Sequence, residues 1–416
     1  MWQRKNIKQR VLSLLLAVYT AALRLRRTVR LGRNQGRSIL ILPPYMPGSL
    51  GDEAMVSASV DYLNSKGHKL INLVSYNRAL NWEPLEPMTE TIDFPYQSWK
   101  AKFRFANAVS RYEQFYCLGA DVLDGHYTDE VSLERLELVS LAVETGADAA
   151  ILGFSFNDQP TPASVQALRD LPLNVRMCSR EPISQSRLLH HLQRPVELVA
   201  DVAFLLHPID DSEIVSGVSR WISEQQANGR TVIGINANGM HVSNLKVQLL
   251  EHLIQIYVDT LVELYSKDEK FSFVLIPHDF HSGPEVVSEI VLAEAILKAL
   301  PAKMQLNCIK VPTPCRAAEI KAICRNLDLV LSGRMHLSIA CLGQATPVAC
   351  ITYQGKFEGL FRHFELDGMT IEPSQAFQPG SLVKFLMPLI EKREDISKHV
   401  QLKLPQIQQL AQANFD

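Results

Sequence analysis

From Ser38 to Ile351, short runs of β-branched and aliphatic residues recur between longer stretches with helical apolar spacing. A strand followed by a helix returns the chain to the same end of the sheet, so successive strands pair in parallel and helices cover both faces. The chain is therefore expected to be α/β throughout. Strands are expected at 38–42, 70–74, 114–118, 149–152, 175–179 and 197–200, and a second series at 231–236, 271–276, 328–331 and 348–351. With 416 residues and 47% hydrophobic content, one ordinary core is too small a container and two are expected. The expected division is a basic amphipathic helix over 1–37, an α/β domain over 38–206, a polar junction over 207–230, a second α/β domain over 231–375 and a helical segment over 376–416. Two such halves facing each other would place the loops at the strands' carboxyl ends in one cleft, where open α/β sheets bind ligands.

Charge removes some functions. Lys plus Arg (42) nearly balance Asp plus Glu (44), so the net charge of −2 provides no global field for nucleic acid. Seven cysteines without a C-x-x-C pair read as reduced, buried thiols of a cytoplasmic protein rather than a disulfide or zinc scaffold. The amino end differs from the rest. Arg4, Lys5, Lys8 and Arg10 precede an uncharged stretch over 11–23, Arg24, Arg26, Arg27 and Arg30 follow it, and no acid occurs before Asp52. The stretch is shorter than the about 20 residues that span a bilayer, and cations on both sides argue against a cleaved signal peptide. Two readings stay open: a helix in a membrane interface, presenting Ile7, Val11, Leu14, Leu15 and Val18, and a helix packed on the body.

The unusual polar clusters follow the expected strands. PPYMPGSLGDEAM places Gly48 and Gly51 where backbone can approach a ligand, with Asp52 able to cap a helix starting near Glu53. It lacks the Lys-Ser/Thr pair of a Walker loop, and a plain glycine turn remains the alternative. FYCLGADVLDGHY sets Asp121 and Asp124 beside glycines, suited either to sugar hydroxyls and base chemistry or to turns. GFSFND ends in Asn157 and Asp158, as loop caps or ligand contacts. In MCSREPISQSRL, Arg180 emerges where a strand gives way to a helix, and its fork of donors suits carboxylate or phosphate, a structural ion pair being the alternative. IPHDFH carries His278 and His281 three apart; without a third spaced ligand a hydrogen-bonding role is preferred to metal. The densest stretch begins at Leu329. A buried strand ends at Ser332, Gly333 frees the backbone, and Arg334 and His336 open an apolar helix, so a helix amino end, a guanidinium and an imidazole converge as an anion site with an acid or base attached. The next strand is followed by YQGKFEG, bringing Gln354, Lys356 and Glu358.

As an ordered set, these motifs resemble the polysaccharide pyruvyl transferase family: GSLGDEAM, LGADVLDG, LGFSF, the SRE of Ser179–Glu181, the D-x-A-F at Asp201, IPHD, and the run from Ser332 to Phe361. The resemblance spans about residues 38 to 370. It implies two Rossmann-like domains similar to the GT-B glycosyltransferases, a phosphoenolpyruvate donor, and a pyruvate ketal bridging two hydroxyls of an acceptor sugar in surface polysaccharide synthesis; the basic amino end, outside the resemblance, points to a lipid-linked oligosaccharide as acceptor. No metal, nucleotide or other cofactor is expected. By resemblance Arg180, Arg334 and His336, with Met335 between the last two, match positions that engage the donor. Gly51, Asn157, His278, Gln354, Lys356 and Glu358 complete the expected binding set. PPYMPG departs from the family's less bulky lead-in, which bears on acceptor contacts.

Two arginines and an imidazole suit the chemistry, in which a proton must reach the donor's methylene while carboxylate and phosphate are held. His336 is expected to act as general acid or to donate to phosphate, and Asp52 or Asp124 is the expected base toward the acceptor hydroxyl. A nucleotide-sugar glycosyltransferase and a non-catalytic glycan-binding member are the competing readings, since fold alone does not settle chemistry.

Overall fold

In the computed structural model, residues 2–31, 38–75, 98–242, 247–281, 288–352 and 355–416 are described. They form two compact units. The first comprises Met1–Pro47, Ser59–Val199 and Asn414–Asp416, the second Gly48–Ala58 and Ala200–Ala413.

In chain order the elements up to the second sheet are α1 (Trp2–Leu31), β1 (Ser38–Leu42), α2 (Leu50–Ser65), β2 (Leu70–Leu73), α3 (Trp99–Val109), β3 (Gln114–Ala120), α4 (Asp129–Glu144), β4 (Asp148–Phe154), α5 (Pro162–Asp170), β5 (Arg176–Ser179), α6 (Pro182–Leu192) and β6 (Glu197–Leu198). All pairs in this sheet are parallel, in the order β2-β1-β3-β4-β5-β6. Every residue of β1 is buried, as expected for an interior strand covered on both faces. Crossovers run in opposite directions from β1 and β3, which makes their carboxyl ends the switch point of the first sheet. Arg135 of α4, 3% exposed, secures it: Nη1 donates to the Pro44 carbonyl at 2.9 Å, and Nη2 to those of Pro43 and Leu118 at 2.7 and 3.0 Å. Residues 414–416 seat in this unit as well. Phe415 lies between the rings of Tyr62 and Tyr116, and Arg176 donates to the carbonyls of Asn414 and Asp416.

The second unit continues with α7 (Glu213–Ala227), β7 (Thr231–Ile235), α8 (Val247–Lys267), β8 (Phe271–Leu275), α9 (Glu289–Ala299), α10 (Ala302–Gln305), β9 (Cys308–Lys310), α11 (Ala317–Cys324), β10 (Leu329–Ser332), α12 (Met335–Leu342), β11 (Val348–Ile351), α13 (Lys356–His363), β12 (Thr370–Ile371), α14 (Pro373–Ala376), α15 (Ser381–Glu391) and α16 (Arg393–Gln412). Its six strands are again all parallel, ordered β12-β11-β10-β7-β8-β9, so the switch point falls between β7 and β10. Residues 207–230, expected as a junction, hold α7, which buries Val215, Val218 and Ile222 and packs on β7 and α11.

All ten expected strands are present, with ends shifted by one or two residues except at β1 and β11, which match. β9 and β12 are additions to the expected set. At three and two residues they are too short to show a period, and both lie at sheet edges. α2 begins at Leu50, before Glu53, and its cap is Ser49, whose hydroxyl accepts from the Asp52 amide; Asp52 sits inside the first turn.

The amino-terminal helix packs on α3 and α4 through Leu16, Thr20, Leu23 and Arg27, all buried. Val11, Leu14, Leu15 and Val18 remain exposed, and the Ile7 side chain lies outside the described residues. Among the described residues no helix is long and apolar enough to cross a membrane.

Candidate active site

The second unit gathers its polar side chains at its switch point. Asn236 follows β7 directly and is fully buried. Its Nδ2 donates to the Ile276 carbonyl at 2.9 Å and to Glu289 Oε2 at 2.8 Å, while its Oδ1 accepts the Gly333 amide at 3.2 Å. Asn238, equally buried, donates from Nδ2 to the Gly333 carbonyl at 2.7 Å. Two asparagines from one strand end thus fix the turn after the neighbouring strand, and with it the start of α12.

Glu289, the first residue of α9 and 2% exposed, holds three loops at once. Its Oε2 accepts from Asn236 and from the His278 amide at 2.7 Å, and its Oε1 accepts Arg334 Nε at 2.6 Å. The Arg334 guanidinium also reaches Asp279 through Nη2 at 3.1 Å. Asp279 in turn accepts the backbone amide of His281 and pairs with its ring Nδ1 at 2.8 Å. Burial would raise the Asp279 carboxyl, but the His281 hydrogen bond and the Arg334 charge overcome it and hold the group below its usual range. Arg334 is therefore rigidly placed and shares its charge with two acids. One cation between two carboxylates is not by itself an attractive field for an anion.

His336, in the first turn of α12, has Nε2 3.4 Å from Asp201 Oδ2, a carboxylate only 1% exposed. Opposite, a Cβ on Gly51 would lie 2.3 Å from His336 Nδ1 and 2.8 Å from Cγ, so the imidazole occupies the space that only glycine leaves. Gly48 has φ of 129° and similar closeness to His281, and its carbonyl accepts the Phe280 amide. The Leu50 amide donates to the His278 carbonyl. His278 is fully enclosed. Desolvation, with the nearby charges of His336 and Arg334, pushes its imidazole down to about 3, so it is neutral and serves through its backbone and shape. Met335 is buried at the first position of α12, between Arg334 and His336 in sequence.

Of the residues expected from sequence, the structure thus brings Gly51, His278, Arg334, Met335 and His336 to one place, and Asp52 sits beside Gly51 in the first turn of α2. Lys356, 5% exposed, and Glu358, with a buried Oε2, open α13 after β11 in the same unit. Gln354 lies outside the described residues. Arg180, Asp124 and Asn157 belong to the first unit. Arg180 follows β5 at 2% exposure and donates from Nε to Ser155 Oγ at 2.7 Å. Asp124 accepts the amides of His126 and Asn157, one on each oxygen, and burial pushes its carboxyl up. Asn157 has a buried Nδ2 with no hydrogen-bond partner among the described residues, a donor still to be satisfied.

Sequence reading does not single out Glu289 or Asn236, and it gives Asp201 a motif but no role. Glu289 looks like any acid in a first helical turn. Glu53, next to the expected Asp52, is the other addition. Its Oε1 accepts the Ala317 amide at the start of α11, and burial raises its carboxyl to about 7.

Three measurements follow from this geometry. Glu289→Ala removes one of the two carboxylates that Arg334 meets and unties three loops, and should cost about 3–5 kcal/mol in urea unfolding of the second unit. Gly51→Ala forces His336 to move and should lower turnover at least about tenfold while changing stability by no more than about 1–3 kcal/mol. Glu53 binds a proton more tightly folded than unfolded, so its contribution is present below about pH 4.5 and lost as pH rises through about 7. Glu53→Gln keeps the acceptor for Ala317 and cannot ionise; it should exceed the parent by on the order of 2 kcal/mol above pH 7, the gap closing toward pH 4.5.

Solved structures share this architecture at low sequence identity. A Listeria monocytogenes structure named for UDP-N-acetylglucosamine 2-epimerase is 13% identical over 91% of this chain and 94% of its own, with a TM-score of 0.59. The UDP-GlcNAc 2-epimerase of Neisseria meningitidis is 13% identical over 91% and 98%, at 0.55. The UDP-forming trehalose-phosphate synthase of Burkholderia vietnamiensis is 10% identical over 92% and 98%, at 0.55. These likenesses identify a GT-B fold of two parallel-sheet α/β domains. No curated protein sequence matches the chain. The family model for polysaccharide pyruvyl transferase matches residues 50–355, well over half of the sequence and all of the second switch point, and the chain therefore belongs to the polysaccharide pyruvyl transferase family.

Proposed function

We propose that this transferase moves the enolpyruvyl carbon skeleton of phosphoenolpyruvate onto two hydroxyls of a sugar, as a ketal, during surface polysaccharide synthesis. The observation that supports it most is the fixed Arg334–Met335–His336 start of α12, held by Glu289 and Asp201 against Gly51 within a chain of this family. The reaction protonates the donor's methylene to a methyl group, adds one acceptor oxygen at the adjacent carbon, and lets the second oxygen displace phosphate. The two hydroxyl protons are accounted for by the new methyl and the released phosphate.

In this reading Arg334 holds the donor's anionic groups and His336 supplies the proton, its ring oriented by Asp201, while Arg180, in the first unit, is assigned to anion binding as well. Asp52 is the better candidate for the acceptor's base. Both Asp124 oxygens already accept backbone amides, which makes that residue an organiser of its loop. Met335, His278, Lys356, Glu358, Gln354 and Asn157 are assigned to binding, the buried Nδ2 of Asn157 suiting a sugar hydroxyl. A lipid-linked acceptor and a peripheral position on the cytoplasmic face of a membrane belong to the same reading, supported by the cations around α1.

Thermal unfolding with phosphoenolpyruvate, or with UDP-, GDP- or CMP-sugars, tests the donor. At ~100 times its dissociation constant a ligand adds about 2.7 kcal/mol to stability. Phosphoenolpyruvate should stabilise the parent and not Arg334→Lys, which keeps a cation between Glu289 and Asp279 but loses the fork. Stabilisation by a nucleotide sugar alone would make the protein a glycosyltransferase. Response to a glycan with no donor effect would make it a binding member.

A further inference from the structure

Helix α1 shows two opposed faces. Leu16, Thr20, Leu23 and Arg27 follow spacings of four, three and four and are 2–9% exposed. They form the inner stripe, with Thr20 Oγ1 3.4 Å from Glu144 Oε2, Arg27 Nη2 donating to the Glu113 carbonyl at 3.0 Å, and the Tyr19 ring tilted against Phe103 at 5.2 Å between centroids. A helix anchored in this way has no remaining need for apolar side chains outside. Yet Val11, Leu14, Leu15, Val18 and Leu25 are 50–71% exposed, and exposed Ala22 continues their row. At 100° per residue this outer stripe is centred roughly 160° from the inner one. It runs along about 21 Å of helix at 1.5 Å per residue.

Cations frame the outer stripe. Lys8 and Arg26 project along one flank, one at each end, and Arg10 along the other, while Arg24 lies nearer the body, its side chain over Gly146. All four are exposed, and α1 as a whole carries eight Lys and Arg and no acid. An apolar row bordered by cations at both ends and on both sides fits a helix lying flat in a bilayer interface, with the row among the acyl chains and the cations at lipid phosphates. A second copy of the chain is a poor occupant. Antiparallel pairing would set Lys8 and Arg10 against Arg24 and Arg26, and parallel pairing would set each cation against its equal.

We infer that the outer face of α1 docks this protein on anionic lipid, in the plane of the membrane and without crossing it. This extends the peripheral position proposed above and names the side chains and the lipid class. It does not depend on the donor, because the face lies within the first unit and its packing involves none of the residues assigned to chemistry.

The test uses the full chain and vesicles of phosphatidylcholine, with or without phosphatidylglycerol, in the absence of any donor. The parent should co-sediment with the anionic vesicles at least ten times more strongly than with neutral ones, and less so as salt is raised. Leu14→Asp/Val18→Asp should lose that binding at least tenfold while keeping the parent's midpoint of thermal unfolding. Arg10→Glu/Arg26→Glu should lose the preference for anionic lipid. Equal binding by parent and Leu14→Asp/Val18→Asp, or no binding by the parent, would overturn the inference. So would a parent that dimerises in sedimentation velocity through the same side chains. The variants should retain the parent's turnover on a soluble acceptor, so a failed donor assignment and a failed docking face give different results.

Discussion

The carboxylate of Glu289 is the point on which the second unit's chemistry rests. Removing an ion from water is expensive, and a buried carboxylate persists only when its lone pairs are met. Glu289 meets that condition by drawing on three different strand ends: Asn236 after β7, the His278 amide after β8 and Arg334 after β10. The same interactions that make the buried charge tolerable also fix the relative positions of the groups a donor would meet. Stability and preorganisation share one set of contacts here. A site built from three separate loops becomes as rigid as the sheet beneath it.

The parallel sheet orders of the two units show why the polar residues sit where they do. In each, crossovers diverge from two central strands, and polar residues collect at the carboxyl ends of those strands. The first unit braces its gap with the buried guanidinium of Arg135, which donates to the carbonyls of Pro43, Pro44 and Leu118. The second lines its gap with side chains that hold one another. A similar scaffold thus supports a backbone brace in one half and an ordered charged cluster in the other.

Much of this architecture is legible in the amino-acid sequence. Strand positions follow from apolar runs, whose burial in parallel sheets leaves little ambiguity, and Arg334 and His336 stand out because a glycine and a helix start flank them. What is not legible depends on distance along the chain. That Gly51 leaves room for His336, or that Asp201 meets the same ring, involves separations of well over a hundred residues and no local pattern. Asp124 shows another kind of gap: its Asp-Gly setting is compatible with either a base or a turn, and one of the two amides its oxygens accept comes from Asn157, which no local pattern links to it.

The seat of Phe415 between Tyr62 and Tyr116 gives the first unit an unusual schedule. Its six strands are complete once β6 has left the ribosome, yet its last aromatic residue arrives only after the entire second unit has been made. Until then the rings of Tyr62 on α2 and Tyr116 on β3 lack the ring that packs between them, and Arg176 lacks the carbonyls of Asn414 and Asp416. Residues 414–416 therefore complete the packing of the first unit from beyond the second, so the contacts that Tyr62, Tyr116 and Arg176 make with them depend on chain synthesised after the second unit.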